Sequence, residues 1–373
     1  MKKILAFIIA FSFLVFPLKV KAISTSAKAA ILINGDTGEV IYSQNANERL
    51  PMASTTKIMT ALLLCEHGEL DREITVSAEM LKVEGSSMGL LAGDRVTLRG
   101  LLYGMMLPSG NDAANVTAYT LGKTVDGFVK MMNNKAKELG LKNTHFETPS
   151  GLDGDEHYTS AADLATLARV AMQNKDFYEA ASSPSVVLEY GNPPYRRSLS
   201  NHNRLLKTFE GAVGVKTGFT KKSGRCLVSA AKRDGKYVIA VTLSSPNDWE
   251  DHKALLEYGF NQTDVLEIVP ERKSFSIPVI NSNDLFEVRI EPLIVGVSGK
   301  EKITAEIFLP KFLYAPIKKG EQIGKVVYKM NGNALLEAPI VSNRNINRVN
   351  QKSSFLNSVL KNAGYIFLNL WEK

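Results

Sequence analysis

Hydrophobic and polar positions alternate with different periods in successive parts of the chain. Two strand-like runs at 29–34 and 39–43 are joined by Gly-Asp-Thr-Gly, which predicts a β-hairpin near the N-terminus. From about residue 76 to 181 the period is mostly helical, and helices are predicted at 98–107, 111–121, 125–139 and 161–172. Ser160 is the expected N-cap of the last helix.

Strand patterns return after this helical stretch. Runs at 212–217, 226–232 and 237–243 read as strands, and an Asp-Gly turn joins the last two. A helix is predicted at 249–260. Strands at both ends with helices between them predict an α+β domain over 23–264. In that domain the N-terminal hairpin joins the late strands in one antiparallel sheet, beside a helical subdomain.

A different pattern follows residue 264. Alternating runs at 274–279, 285–292, 302–309 and 324–329 predict a small all-β sandwich domain over 265–345. Apolar residues in the tail, 346–373, recur at helical spacing with polar residues on the other side. This predicts an amphipathic helix lying on a membrane surface, and a helix docked on the protein's own core is the alternative.

The N-terminus has the features of an export signal. Two lysines at 2–3 precede an apolar run at 4–18, and small residues lie around Ala22. We expect residues 1–22 to be a signal peptide cleaved after Ala22, because the apolar run is short for a membrane span. The predicted location is the outer face of the cytoplasmic membrane, held there by the tail helix.

Composition narrows the function without defining it. The 373 residues carry a net charge of +7 from scattered basic residues, so we expect no nucleic-acid partner. Two cysteines, Cys65 and Cys226, exclude a disulfide framework; both lie in apolar runs and read as small buried residues, although one bridge stays open. Five histidines lack metal-ligand spacing, and we expect neither a metal nor a cofactor.

One Ser-x-x-Lys sequence lies where a loop meets a buried apolar run that ends near Gly68. Residues three apart share a helix face, so Ser54 and Lys57 would lie side by side as a nucleophile and its base. The alternative is a capping serine with a surface lysine. The pattern alone is weak, because it recurs at 229–232 and 358–361.

Two further motifs follow it in order, Ser109-Gly-Asn111 and Lys216-Thr-Gly218. The ordered set is typical of serine enzymes that react with penicillin. Lys57 can act as a base if burial and a nearby cation disfavour its charged form. We predict that Ser54 is the nucleophile, Lys57 the general base and Ser109 a proton relay. Asn111 is expected to contact Lys57 and a substrate amide, and Lys216 and Thr217 are expected to bind a substrate carboxylate. Gly218 would allow the ligand to approach the strand closely, and the backbone N–H groups of Ser54 and Phe219 would stabilise the oxyanion.

With these motifs the chain resembles low-molecular-mass penicillin-binding proteins, which are serine-type D-alanyl-D-alanine carboxypeptidases. Segments 30–40, 151–164, 201–203 and 214–220 extend the resemblance beyond the motifs. It implies a penicillin-binding/β-lactamase-like fold and cleavage of peptidoglycan stem pentapeptides through an acyl-enzyme on Ser54. It also implies acylation of Ser54 by β-lactams and a role in limiting cross-linking during cell wall biogenesis. Some relatives have a basic residue where this chain has His202. How the terminal carboxylate of the substrate is guided therefore stays open.

Three other functions remain open at this stage. A β-lactamase on the same fold would need a deacylation base, for which Asp153, Asp155 and Glu156 lie in a suitable loop. A transpeptidase differs only in its acceptor. A catalytically silent wall-binding protein would not need Lys57 and Ser109. The second motif, the β domain and the tail favour the carboxypeptidase.

Overall fold

The computed structural model describes residues 23–270, 272–282, 285–298 and 303–349, so the predicted signal peptide and most of the predicted tail helix lie outside it. Its helices are α1 Lys57–His67, α2 Leu98–Met106, α3 Asn111–Gly122, α4 Val125–Glu138, α5 Ala161–Ala171, α6 Lys175–Ser182, α7 Leu205–Thr208 and α8 Asp248–Gln262. Its first nine strands are β1 Ala29–Asn34, β2 Val40–Gln44, β3 Glu73–Thr75, β4 Arg95–Thr97, β5 Ser185–Gly191, β6 Pro194–Ser200, β7 Ala212–Thr220, β8 Gly224–Arg233 and β9 Lys236–Leu243. The remaining strands are β10 Asp264–Ile268, β11 Ser274–Ile280, β12 Leu285–Arg289, β13 Leu293–Val297, β14 Ile303–Phe308, β15 Leu313–Tyr314, β16 Gln322–Met330 and β17 Asn333–Val341. Within those ranges, no helix has the length and apolar character needed to cross a bilayer.

A five-stranded antiparallel sheet in the order β2-β1-β9-β8-β7 organises the first domain. The prediction that the N-terminal hairpin joins the late strands is confirmed. One sheet face packs on the helical subdomain, and the other packs on α8 through residues such as Leu32 and Leu255. Burial on both faces explains why β1 is apolar from Ala29 to Ile33, since neither side of the strand faces water.

The helical subdomain contains the four predicted helices, and the Ser160 hydroxyl accepts a hydrogen bond from the Asp163 amide as the predicted N-cap of α5. The prediction missed α6 and a second sheet in the order β3-β4-β5-β6. These strands are short or mostly exposed, as the sequence of β6, Pro-Tyr-Arg-Arg-Ser-Leu-Ser, illustrates. Backbone pairing forms them without the apolar alternation on which a sequence prediction depends.

The second domain is all-β, as predicted, and comprises three small sheets around one core. The prediction missed β10, β13, β15 and β17. It also ended the domain too early at residue 345. Ile346 exchanges backbone hydrogen bonds with Ile317 and is 1% exposed in the core, so the domain includes at least this residue.

The β domain contacts one end of the main sheet. Asn34 Nδ2 donates to the Gly296 carbonyl at 3.0 Å, and the Gly296 amide donates to Asp36 Oδ2 at 3.1 Å. These contacts lie at the β1–β2 turn. The β7–β8 turn, where the candidate site is found, lies at the opposite end of the sheet.

Candidate active site

Ser54 lies in a 3₁₀ turn, Ala53–Thr56, that continues directly into α1. The continuity of turn and helix brings Ser54 and Lys57 together, and 3.0 Å separates Ser54 Oγ from Lys57 Nζ. No side chain caps the start of the turn or of α1, and Lys57 is 0% exposed. The alternative of a capping serine with a surface lysine is therefore wrong.

The Lys57 amine has three neighbours that match a neutral nitrogen. Its Nζ donates to Asn111 Oδ1 and to the Ser150 carbonyl, both at 2.7 Å. A neutral amine has two hydrogens and one lone pair. With both hydrogens directed to these acceptors, the lone pair faces the Ser54 hydroxyl. This is the arrangement that a general base for Ser54 requires.

The charged form of Lys57 is disfavoured at this position. Burial is the main reason that the pKa of Lys57 lies well below its usual range, and the charge of Lys216 lowers it further. Asp112 opposes these two effects weakly. The predicted lowering of the Lys57 pKa is confirmed.

Asn111 is hydrogen-bonded to Lys57 and is not among the residues that line the cleft. Its Oδ1 accepts from Lys57, and its Nδ2 donates to the Glu84 carbonyl at 2.6 Å. The next residue, Asp112, accepts hydrogen bonds from Ser87 Oγ and from the backbone of 88–90. The start of α3 thus holds both the base and the loop that forms one rim of the cleft.

Ser109 is held in an uncommon conformation at the cleft. Its φ is +62°, in the left-handed region that non-glycine residues rarely occupy. Its Oγ is buried and has no hydrogen-bond partner among the described residues, although Ser109 lines the cleft. An unpartnered hydroxyl in the cleft that Ser54 also lines is consistent with the predicted proton relay.

Lys216 lies behind the cleft wall. It is 1% exposed, and its Nζ donates to the Thr217 carbonyl at 3.0 Å. Burial lowers the pKa of Lys216 to about 7. Lys216 is therefore not an exposed strand lysine, and its charge lowers the pKa of Lys57.

The strand β7 passes closely over the Ser54 turn because residue 218 is glycine. A Cβ on Gly218 would lie 3.1 Å from the Met52 oxygen and from the amide nitrogens of Ser54 and Thr55. Thr217, Gly218 and Phe219 line the cleft, and Phe219 is 64% exposed. The predicted role of Gly218 concerned ligand approach; the observed close contact is between the strand and the turn.

The loop at 148–157, where the sequence analysis placed the candidate carboxylates of a β-lactamase, completes the site. Besides the Ser150 carbonyl, it contributes Gly151, at which a Cβ would lie 1.9 Å from the Ala53 oxygen. His157 Nδ1 accepts from the Glu147 amide, so its Nε2 carries the proton and donates to Thr56 Oγ1 at 2.8 Å. Burial lowers the pKa of His157 to about 4, which keeps this ring neutral. In the sequence, the clue to this loop was the family resemblance of segment 151–164.

The cleft has a volume of about 540 Å³. Its walls comprise Ser54, Ser86, Ser109, Asn201, His202, Arg204, Thr217, Gly218, Phe219, Arg225, Asp248 and Trp249. Burial and the charge of Lys216 lower the pKa of His202, so this residue contributes little positive charge at neutral pH.

The carboxylates considered for a β-lactamase, Asp153, Asp155 and Glu156, do not line this cleft. Asp153 Oδ1 instead accepts a hydrogen bond from Thr220 Oγ1 at 2.9 Å, which joins the loop to the end of β7. Among the described residues, no group of three or more His, Cys, Asp and Glu side chains could hold a metal ion.

A serine paired with a buried lysine, at the edge of an antiparallel sheet with helices on both faces, defines a serine hydrolase of the penicillin-binding/β-lactamase-like fold. The family model for D-alanyl-D-alanine carboxypeptidase matches residues 17–247, and the model for the C-terminal domain of penicillin-binding protein 5 matches residues 275–348. The chain belongs to the D-alanyl-D-alanine carboxypeptidase family of serine peptidases and is a hydrolase of this class. The resemblance noted from the motifs is confirmed.

Individual relatives agree with this assignment. The chain is 32% identical to the D-alanyl-D-alanine carboxypeptidase DacF of Bacillus subtilis, over 91% of this chain and 89% of that protein. Among solved structures, the Streptomyces K15 DD-transpeptidase aligns with a TM-score of 0.62 at 34% identity, over 64% of this chain and 98% of that one. The carboxypeptidase DacD of Francisella tularensis aligns with a TM-score of 0.63 at 28% identity, over 88% and 95%.

Proposed function

We propose that this protein removes the terminal D-alanine from peptidoglycan stem pentapeptides through an acyl-enzyme on Ser54. The observation that carries the proposal is the position of Lys57 Nζ, which lies 2.7 Å from Asn111 Oδ1 and from the Ser150 carbonyl and 3.0 Å from Ser54 Oγ. The names of the relatives supply the substrate class.

The reaction would begin when Ser54 Oγ attacks the carbonyl carbon of the penultimate D-alanine while Lys57 accepts the hydroxyl proton. The backbone N–H groups of Ser54 and Phe219 would stabilise the resulting oxyanion. A proton passed through Ser109 to the peptide nitrogen allows the C–N bond to break, and D-alanine leaves. Lys57 then removes a proton from water, which hydrolyses the ester and restores Ser54.

β-Lactams would acylate Ser54 by the same first step, because their strained amide imitates the scissile bond. In the cell wall, removal of the terminal D-alanine would limit cross-linking. The signal-like segment at 1–22 and the amphipathic pattern of the tail support a location on the outer face of the cytoplasmic membrane. Deletion of the residues after Ser353 should release the protein from membranes; a truncated protein that remains bound would contradict this location.

The direct experiment is to incubate the purified protein with a peptide ending in D-Ala-D-Ala and to measure free D-alanine. We expect release by the wild type and none by Ser54→Ala. No release by the wild type would overturn the proposal. Labelled penicillin distinguishes the β-lactamase alternative, since a long-lived adduct fits a carboxypeptidase and rapid turnover fits a β-lactamase.

Transpeptidation is the second candidate, because one similar structure is a DD-transpeptidase. The same acyl-enzyme would then transfer to an amine. Adding an amine acceptor to the D-alanine assay separates the two outcomes: a new peptide product indicates transpeptidation, and the shortened peptide alone indicates hydrolysis.

A further inference from the structure

A carboxypeptidase has to recognise a free C-terminal carboxylate, and the structure shows which cations can reach one. Lys216, which was predicted to bind the substrate carboxylate, is 1% exposed, and its Nζ donates to the Thr217 carbonyl. Two arginines, Arg204 and Arg225, line the cleft itself. Of these, Arg225 is the one whose position relative to β7 is set by strand pairing.

The register of β7 and β8 places Arg225 next to Thr217. Thr217 lies opposite Leu227, and Phe219 lies opposite Arg225. Opposed residues share a sheet face and alternate residues return to it, so Thr217, Phe219 and Arg225 project from the same face. Diagonal neighbours such as Thr217 and Arg225 lie about 7–8 Å apart at the backbone, within reach of a long side chain.

A buried carboxylate orients the Arg225 guanidinium. Arg225 Nε donates to Asp248 Oδ1 at 2.7 Å; the Asp248 side chain is 5% exposed and the Arg225 side chain 43%. Asp248 is the first residue of α8, where the helix dipole favours a negative charge. No described residue accepts a hydrogen bond from the two terminal nitrogens of Arg225. This half of the guanidinium fork has the geometry that pairs with a carboxylate in a bidentate manner.

We propose that Arg225, oriented by Asp248, binds the C-terminal carboxylate of the substrate together with the Thr217 hydroxyl. Arg225 is thus a specificity-determining residue that selects peptides ending in a free carboxylate. The assignment rests on the proposed function and deepens it, because it names the group that reads the end of the peptide. Asp248 is a positioning residue that acts through Arg225.

The test compares two peptides that differ only at the end, D-Ala-D-Ala with a free carboxylate and the same peptide with a C-terminal amide. Charge-assisted hydrogen bonds are lost in Arg225→Met, so its kcat/KM for the acid should fall by about 10- to 100-fold. For the amide, kcat/KM should change by less than about threefold, since no carboxylate is present to lose its partner. Arg225→Lys should recover only part of the preference for the acid, because an ammonium group lacks the planar fork.

Arg233 provides a matched control at the other end of the same two elements. Its Nη2 lies 3.0 Å from Glu257 Oε1, so this ion pair also joins β8 to α8, but away from the cleft. Arg233→Met should leave the acid-to-amide ratio at the wild-type value. A fall in this ratio in Arg233→Met would indicate a structural role for both ion pairs and would overturn the proposal.

Two further outcomes separate the two proposals. An active wild type together with an unchanged acid-to-amide ratio in Arg225→Met overturns the assignment of Arg225 alone. A wild type that cleaves neither peptide overturns the proposed function and this assignment with it.

Discussion

Two Ser-x-x-Lys sequences lie within the described residues, and the fold makes an active site of only one. Ser54 and Lys57 straddle the start of a helix, where residues three apart share a face, and their polar atoms lie 3.0 Å apart. Ser229 and Lys232 lie on β8, where residues three apart point to opposite faces. Lys232 is exposed, with its Nζ 4.5 Å from the centre of the Tyr237 ring.

Ser229 nevertheless has a buried base as its neighbour. Its Oγ is hydrogen-bonded to His252 Nδ1, and His252 Nε2 is bonded to Thr242 Oγ1 at 2.9 Å. Burial lowers the pKa of His252 to about 3, so this base resembles Lys57 in having a lowered pKa. Both ring nitrogens are engaged, and Ser229 and His252 are 0% exposed between the sheet and α8. A perturbed base beside a serine therefore does not define an active site unless the serine also reaches a cleft.

The largest effect expected from this comparison is on catalysis by Lys57. Lys57→Met removes the base and should lower the rate of Ser54 acylation by about 1,000-fold, within the range of general-base catalysis. The measurement is the rate of labelling by penicillin. Lys232→Met makes the same change in the second sequence and should leave this rate within about twofold of the wild type. Equal losses in the two variants would contradict the distinction between the two sequences.

The second prediction is that replacement of His252 lowers the stability of the protein without affecting catalysis. His252→Ala leaves two buried hydroxyls without their partner and creates a cavity, so we expect the free energy of unfolding to fall by about 3 kcal/mol. Denaturant unfolding measures this change. The folded fraction should retain the wild-type kcat for D-alanine release. A large loss of kcat with unchanged stability would show that the His252 cluster takes part in the reaction.

A smaller effect is expected from the unpartnered hydroxyl in the cleft. Ser109→Ala removes the proposed proton relay and should lower kcat by about 10- to 100-fold, with little loss of stability because the Oγ has no partner to lose. Ser229→Ala removes a hydroxyl that has a partner, and here stability should fall while kcat stays unchanged. If Ser109→Ala lost stability with an unchanged kcat and Ser229→Ala lost kcat with unchanged stability, Ser109 would not be the proton relay.

The smallest effect concerns pH. Acylation requires the neutral amine, so its rate should fall as the pH drops through the lowered pKa of Lys57. Lys216→Gln removes a charge that lowers the Lys57 pKa, and this pKa should therefore rise. The acid limb of the rate profile would then move to higher pH by about one unit. Lys221→Gln, on the exposed β7–β8 turn, is the control; an equal shift there would indicate a general surface-charge effect.

Much of the fold could be predicted because its signals are local. The helices at 98–107, 111–121, 125–139 and 161–172 have apolar periods, and the predicted hairpins have glycine turns. The second sheet of the first domain and four strands of the β domain could not be predicted in this way. Some of these strands have backbone partners distant in sequence, as when Arg95 of β4 pairs with Gly191 of β5, whereas β5–β6 and β16–β17 are local hairpins that the apolar pattern did not reveal.

The candidate site shows the same division. The motifs identified Ser54, Lys57, Ser109, Asn111 and the Lys216 strand before any geometry was known. The Ser150 carbonyl, His157, Arg225 and Asp248 had no comparable signal. A backbone carbonyl has no residue-type signature, and an arginine on a strand next to a turn resembles any surface arginine.

The sequence alone determined that Ser54 and Lys57 are neighbours, because residues three positions apart at the start of a helix share one face. Only the tertiary structure places Lys57 in an environment in which it can act as a base. Its lowered pKa depends on burial and on the charge of Lys216, and its hydrogen-bond acceptors are Asn111, 54 positions away, and Ser150, 93 positions away. Dielectric environment and long-range hydrogen bonds arise when distant elements pack together, which explains why one Ser-x-x-Lys sequence lies in the candidate active site and its copy on β8 is buried in the sheet.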